Sequence, residues 1–119
     1  ATPAFGIALQ VIADKALIEQ ILINLIKNAL DATQECENPR IELSAGINAE
    51  GKNYIQVSDN GTGIPADVQE RIFIPFFTTK PAGSGIGLSI SRQIMYMHKG
   101  SLTVISEAGK GSRFLLTFA

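Results

Sequence analysis

What most restricts the fold of this chain is that its strand-like segments come in adjacent pairs. Residues 41–47 alternate apolar with small or polar side chains, and residues 54–58 do the same across a turn at Glu50-Gly51-Lys52-Asn53. Residues 101–106 and 112–118 make a second pair around Gly109-Lys110-Gly111. Period-two alternation broken by glycine-bearing turns predicts antiparallel hairpins. Hairpins do not build the parallel sheet that strand–helix–strand alternation would give.

Helical patterns precede and separate the pairs. From residue 15 to about 34, Leu17, Ile18, Ile21, Leu22, Leu25, Ile26, Ala29 and Leu30 recur at steps of three and four, which makes one apolar helix face. Asp14 suits its N-cap, and Asn38-Pro39 punctuates the chain beyond it. A short helix is expected over 65–72 with Pro65 at its first position. A longer one is expected over 88–98, carrying Ile90, Ile94, Met95 and Met97 and ended by Gly100. Residues 8–12 read as a further strand whose usual neighbour lies upstream. The expected fold is α+β, a two-layer α/β sandwich with three helices on one face of a mixed, mostly antiparallel sheet. At 119 residues this is one domain, 1–119.

Composition excludes several roles. Ten basic against eleven acidic residues leave no excess charge for nucleic acid or an anionic membrane surface. No apolar run approaches the roughly 20 residues that span a bilayer, so no membrane contact is expected of this domain. The start, Ala1-Thr2-Pro3-Ala4-Phe5, carries no charged segment of the kind that opens a secretory leader. A lone cysteine, Cys36, excludes an internal disulfide and a Cys-rich metal site, and it suits a reducing cytosol.

Four segments carry candidate chemistry. On the first helix Gln20, Asn24, Lys27, Asn28 and Asp31 share a polar strip. Such a strip can be a solvated face, but two asparagines inside a helix disfavour it and need a reason. Asp59-Asn60-Gly61-Thr62-Gly63 follows a strand directly. It can be a surface turn. A carboxylate at a strand end, followed by glycines that let backbone approach a ligand, also suits an amino group: adenine offers one, whereas guanine offers a carbonyl oxygen. Gly83-Ser84-Gly85-Ile86-Gly87-Leu88 opens the third helix, where free N–H groups and the helix dipole favour anions. It matches neither a Walker A loop nor a dinucleotide-binding fingerprint. Between them, Ile72-Phe73-Ile74-Pro75-Phe76-Phe77-Thr78-Thr79-Lys80 reads as an apolar hinge leading to two hydroxyls and a lysine, suited to a lid over phosphates.

Taken in order, these segments resemble the boxes of the histidine protein kinase catalytic domain. Asn24-Leu25-Ile26-Lys27-Asn28-Ala29 is similar to its asparagine box, and Asp59 to Gly63 to its first glycine box. Phe73 to Phe77 resembles its phenylalanine box, Gly83 to Leu88 its second glycine box, and Gly109 to Phe114 its closing strand turn. The resemblance covers nearly the whole chain and looks most like the nitrogen-regulator type of sensor kinase. It implies the Bergerat ATP-binding fold shared with DNA gyrase B, and ATP and Mg²⁺ as cofactors. It implies that Asn28 ligates Mg²⁺, that Asn24 orients phosphates or the metal's waters, and that Asp59 accepts the adenine amine. Gly63 then allows close approach, Ser112 helps hold Asp59 and a water at the base, and Gly85, Gly87 and Leu88 offer N–H groups to phosphate. Lys80, and less directly Lys27, would offset γ-phosphate charge. The implied contact set also takes in Asp31, Gly61, Ile64, Phe73, Thr79, Gly83, Ser84 and Ile86.

ATP-hydrolysing members of that fold carry Glu where Asn24 stands, and an amide cannot act as a general base, so phosphate donation is expected rather than hydrolysis. The resemblance implies a cytoplasmic domain whose partners are its own upstream dimerisation and phosphoacceptor helices and a response-regulator receiver domain. The parent would be a homodimer and this piece a monomer. His98 falls at a structural position, so the chain by itself is expected to bind Mg-ATP without phosphorylating itself. Two rival readings stay open: another kinase of the same fold, of the anti-sigma-factor or dehydrogenase-kinase type, and a non-catalytic nucleotide-sensing or docking module.

Overall fold

The computed structural model describes residues 15–77 and 87–118. The expected strand over 8–12 and the Asp14 cap lie outside them. The chain runs α1 (Lys15–Ala32), β1 (Ile41–Ile47), β2 (Asn53–Asp59), α2 (Ala66–Gln69), α3 (Gly87–Met97), β3 (Ser101–Glu107) and β4 (Gly111–Thr117). The strands form one sheet in the order β1-β2-β4-β3. Both hairpins form as their alternation requires, and the β2–β4 pairing that joins them is also antiparallel. Over the described residues the expected mixed sheet is thus wholly antiparallel.

Register organises the core. Ile55 pairs with Leu116 and Leu116 with Leu102; one step along, Val57 pairs with Phe114 and Phe114 with Val104. Paired residues share a face, so these rows stack as apolar layers across three strands. All are buried except Val104, which packs partly buried against the cluster. The helices cover this face. Ile18, Ile21, Leu25 and Ala29 of α1 lie on β2, Ile94 and Met95 of α3 are buried in the same cluster, and α2 rests on β3.

Helix ends depart from expectation for local reasons. α1 stops at Ala32, two residues early, because its last carbonyls find other donors. The Thr33 hydroxyl takes the Ala29 carbonyl at 2.9 Å, and the Thr62 amide takes that of Ala32 at 3.2 Å. α2 is a single turn, and Pro65 precedes it as N-cap rather than opening it. α3 ends in a Schellman motif, with Gly100 N–H bonded to Met95 O at 2.8 Å and Lys99 N–H to Tyr96 O at 3.0 Å. Its left-handed residue is therefore Lys99 (φ 61°), not Gly100. Glycine is needed at 100 because a Cβ there would strike the Thr117 carbonyl. Leu30, Ile90 and Met97, counted on apolar helix faces by spacing, are exposed. These helices meet a sheet on one side only, and the spacing rule draws the stripe wider than the contact.

Candidate functional site

The apolar layers give way to polar side chains at one end of the buried face. The next row after Val57–Phe114–Val104 is Asp59–Ser112–Ser106, in the same register and on the same face. Asp59 Oδ1 accepts the Gly61 amide at 2.8 Å, and the Ser112 backbone amide also bonds this carboxylate. Burial pushes the carboxyl above its ordinary value of 3.8, and the two amide bonds only partly oppose this. Asp59 is thus a half-buried acceptor at the strand end, without a cationic partner among the described residues.

The loop after β2 is fastened on both sides. Thr62 N–H reaches the end of α1 at Ala32 O, and Gly109 N–H from the β3–β4 turn reaches Thr62 O at 2.7 Å. Gly61 is buried against α1, where a Cβ would strike the Ala32 carbonyl. Gly63 has φ 71°, and a Cβ there would strike the Glu107 carbonyl. Asn60 is structural: its side chain accepts the Arg40 amide at 2.7 Å and donates to Asn38 O at 2.9 Å. Ile64 is partly buried against the core, and its amide donates to Ser106 Oγ at 2.7 Å.

Sequence reasoning missed Ser106 and Gln69. Ser106 Oγ also meets Gly111 O at 2.9 Å and Ser112 Oγ at 2.7 Å, so three segments converge on one hydroxyl. Gln69 of α2 donates to Ile64 O at 2.7 Å and to Ser106 O at 2.9 Å. The signal for Ser106 was its parity with Leu102 and Val104, which puts it on the buried face. The Ser112 hydroxyl meets Ser106 Oγ, while its backbone amide bonds the paired Asp59. A hollow of about 400 Å³ wraps these strand ends, taking in Asp59, Ser106 and Ser112 from the helix side and Ile105 and Arg113 from the open side.

Across the helix layer, the polar strip of α1 divides. Gln20, Lys27 and Asp31 are exposed, whereas Asn24 and Asn28 are half-buried. Asn24 faces α3: its amide lies 3.4 Å from the buried Ser91 hydroxyl, and a Cβ at Gly87 would strike it. Asn24 therefore lines the α1–α3 side, and Asn28 lies one helical turn further along α1, half-buried. Phe73 and Phe77 pack against the core, while Phe76 has φ 68° and is 76% exposed. The Arg92 guanidinium of α3 lies 4.3 Å from the Phe73 ring centre and 5.5 Å from that of Tyr96. Leu88 packs partly buried in α3. Thr79, Lys80, Gly83, Ser84, Gly85 and Ile86 lie outside the described residues. His98 Nδ1 donates to Ile94 O at 2.8 Å, a helix-end role.

The residues present suit a purine nucleotide with a metal. An acceptor carboxylate stands where the buried layer turns polar, glycines stand where backbone must come close, and helical amides can supply hard oxygen. The model of the family described as histidine kinase-, DNA gyrase B-, and HSP90-like ATPase matches residues 13–119. The signal transduction histidine-protein kinase AtoS of Escherichia coli is 38% identical over 104 residues, which cover 87% of this chain and 17% of that protein. Sensor protein FixL of Bradyrhizobium diazoefficiens is 39% identical over 107 residues, covering 90% of this chain and 21% of that protein. Among solved structures, the catalytic domain of histidine kinase ThkA in a nucleotide-free form superposes with TM-score 0.74 at 37% identity, covering 89% of this chain and 68% of that one. Full-length ShkA in complex with AMPPNP superposes with TM-score 0.78 at 32% identity, covering 89% of this chain and 22% of that one.

Proposed function

The chain belongs to the family of histidine kinase-, DNA gyrase B- and HSP90-like ATPases, and from that premise we propose that it binds Mg-ATP and donates the γ-phosphate to a histidine on a separate phosphoacceptor domain. The curated relatives named above are sensor kinases of which this chain spans about a fifth. The observation that carries the reading is the Asp59 row. It sets an acceptor carboxylate, held by the Gly61 and Ser112 amides, at the end of the buried sheet face.

In this reading Asp59 accepts the adenine amine, and Gly61 and Gly63 keep the β2–α2 loop close enough for the base to enter. Asn28 would hold Mg²⁺ through its amide oxygen, and Asn24, set against Gly87, would orient the phosphates at the start of α3. Bound Mg-ATP supplies the phosphoryl group. The chain's own residues supply position: neither asparagine can take a proton from water, so the site favours transfer to an external nucleophile over hydrolysis. Lys80, with Thr79, would offset charge at the γ-phosphate. The partners would be dimerisation and phosphoacceptor helices of the parent protein and a response-regulator receiver domain, all in the cytoplasm. No helix among the described residues is long and apolar enough to cross a membrane.

The test is transfer in trans. The chain is incubated with γ-labelled ATP, Mg²⁺ and the parent's phosphoacceptor helices supplied separately. Acid-labile, base-stable label on the helices, and none on the chain alone, is the expected result. Release of inorganic phosphate without label on the helices would contradict it.

A further inference from the structure

Counting protons in the Asp59–Ser112–Ser106 row fixes the direction of a hydrogen bond. A serine hydroxyl has one proton and two lone pairs. Ser106 Oγ has three neighbours: the Ile64 amide at 2.7 Å, which can only donate, the Gly111 carbonyl at 2.9 Å, which can only accept, and Ser112 Oγ at 2.7 Å. Giving the Ser106 proton to Gly111 leaves one lone pair for Ile64 and one for Ser112. Giving it to Ser112 instead would press two unprotonated oxygens together at Gly111. The satisfied arrangement therefore has Ser112 donating to Ser106. The Ser112 lone pairs then meet no donor among the described residues, and Ser112 shares its face with the Asp59 carboxylate.

We propose that Ser106 is a specificity-determining residue: by drawing the Ser112 proton inward, it leaves Ser112 an acceptor beside Asp59. The inference rests on the nucleotide reading above. Two acceptors side by side welcome an amino group at the purine 6-position and repel a carbonyl oxygen there. Ser106 itself touches no base. Its hydroxyl is saturated by Ile64, Gly111 and Ser112, and it acts through the direction it imposes on its neighbour. Gln69 fixes that neighbourhood from outside, since its amide spans the carbonyls of Ile64 and Ser106.

The test compares ATP with inosine triphosphate, which carries a carbonyl oxygen in place of the 6-amino group, by calorimetric titration in Mg²⁺. In the wild-type chain ATP is preferred. Ser106→Ala frees the Ser112 proton to point at the ligand, and the ATP-over-inosine preference falls by about fivefold or more, as expected for one mispaired hydrogen bond. Ser106→Thr keeps a hydroxyl and keeps the preference. Ser112→Ala removes the acceptor while leaving Ser106 bonded to Ile64 and Gly111, so it lowers the preference in a chain that keeps the Ser106 contacts. A merely structural hub would weaken both nucleotides in parallel. An unchanged ratio in Ser106→Ala and Ser112→Ala, in a chain that still prefers ATP, overturns this inference alone. A wild-type chain that binds neither nucleotide overturns the nucleotide reading, and this inference with it.

Discussion

Gly87 lies so close to Asn24 that a single methyl group at position 87 would strike the asparagine's side-chain amide. The first described residue of α3 and the middle of α1 thus share one surface, with Ser91 beneath it. The amide obstructed is a mobile side-chain end, not backbone, and alanine favours a helix over glycine by up to about 1 kcal/mol. Gly87→Ala should therefore leave the urea midpoint nearly unchanged while displacing Asn24. Mg-ATP affinity is expected to fall about fivefold, the worth of one hydrogen bond, and Asn24→Ala in the same chain should add little more. Full additivity in that pair, measured by calorimetry, would show that the two residues do not share a site.

Gly63 and Gly51 both have positive φ, 71° and 78°, but only Gly63 is crowded, against the Glu107 carbonyl. Gly51→Ala should cost about 1 kcal/mol for the left-handed backbone alone. Gly63→Ala should cost about 2 to 3 kcal/mol, because the loop must also leave its seat on the β3–β4 turn. Chemical unfolding of both variants checks the ordering, and equal losses would count against the close approach described.

Asp59 gives pH effects of opposite sign on binding and on stability. Its carboxyl pKa in the folded chain lies above the ordinary 3.8, because burial outweighs the amide bonds from Gly61 and Ser112. A raised folded pKa means the native state binds this proton more readily than the unfolded chain does. Ionisation of Asp59 therefore costs stability, and that cost disappears as pH falls through the raised value. In the proposed reading the carboxylate is the acceptor, so nucleotide affinity is expected to fall over the same interval. The loss should begin at higher pH than an ordinary aspartate would give. Titrating affinity and urea midpoint together between about pH 4 and 7, with Asp59→Asn as the control lacking the titration, tests both signs.

The Phe73–Arg92–Tyr96 stack predicts coupling between the phenylalanine segment and α3. Arg92 Nε is buried with no hydrogen-bond partner among the described residues, and the guanidinium lies over the two rings. A double-mutant cycle of Arg92→Met with Phe73→Leu should return a coupling of about 0.5 to 2 kcal/mol in unfolding free energy. Arg92→Lys should recover only part of it, since an ammonium does not stack as a planar guanidinium does. A coupling of zero would leave Phe73 held by apolar packing alone.

Much of the architecture was legible because its signals are local. Period-two alternation around glycine turns gave both hairpins nearly to the residue, and the three-and-four spacing gave α1 and α3. What the spacing could not show is which side of each stripe meets the sheet, so Leu30, Ile90 and Met97 look like core until the sheet is seen to cover one side only. Helix ends were misread where tertiary donors decide them: Ala32 O is taken by Thr62, and the left-handed cap falls on Lys99 because Gly100 is needed against Thr117. Within the candidate site, Asp59 and the glycines stood out by type and order. Ser106 did not: its parity with Leu102 and Val104 marks the buried face, but nothing local marks what its hydroxyl meets there. Its importance comes from register, which brings Ile64, Gly111 and Ser112 to one oxygen.

The central claim is that Asp59 reads adenine at the end of the buried sheet face. Its most direct test is calorimetric titration of the chain with ATP and with GTP in Mg²⁺, wild type beside Asp59→Asn. ATP-selective binding in the wild type is expected. The variant should lose at least about tenfold in ATP affinity, because an amide presents hydrogens to the adenine amine where the carboxylate presented lone pairs. Equal binding of ATP and GTP, or ATP affinity untouched in a folded Asp59→Asn chain, would contradict the account.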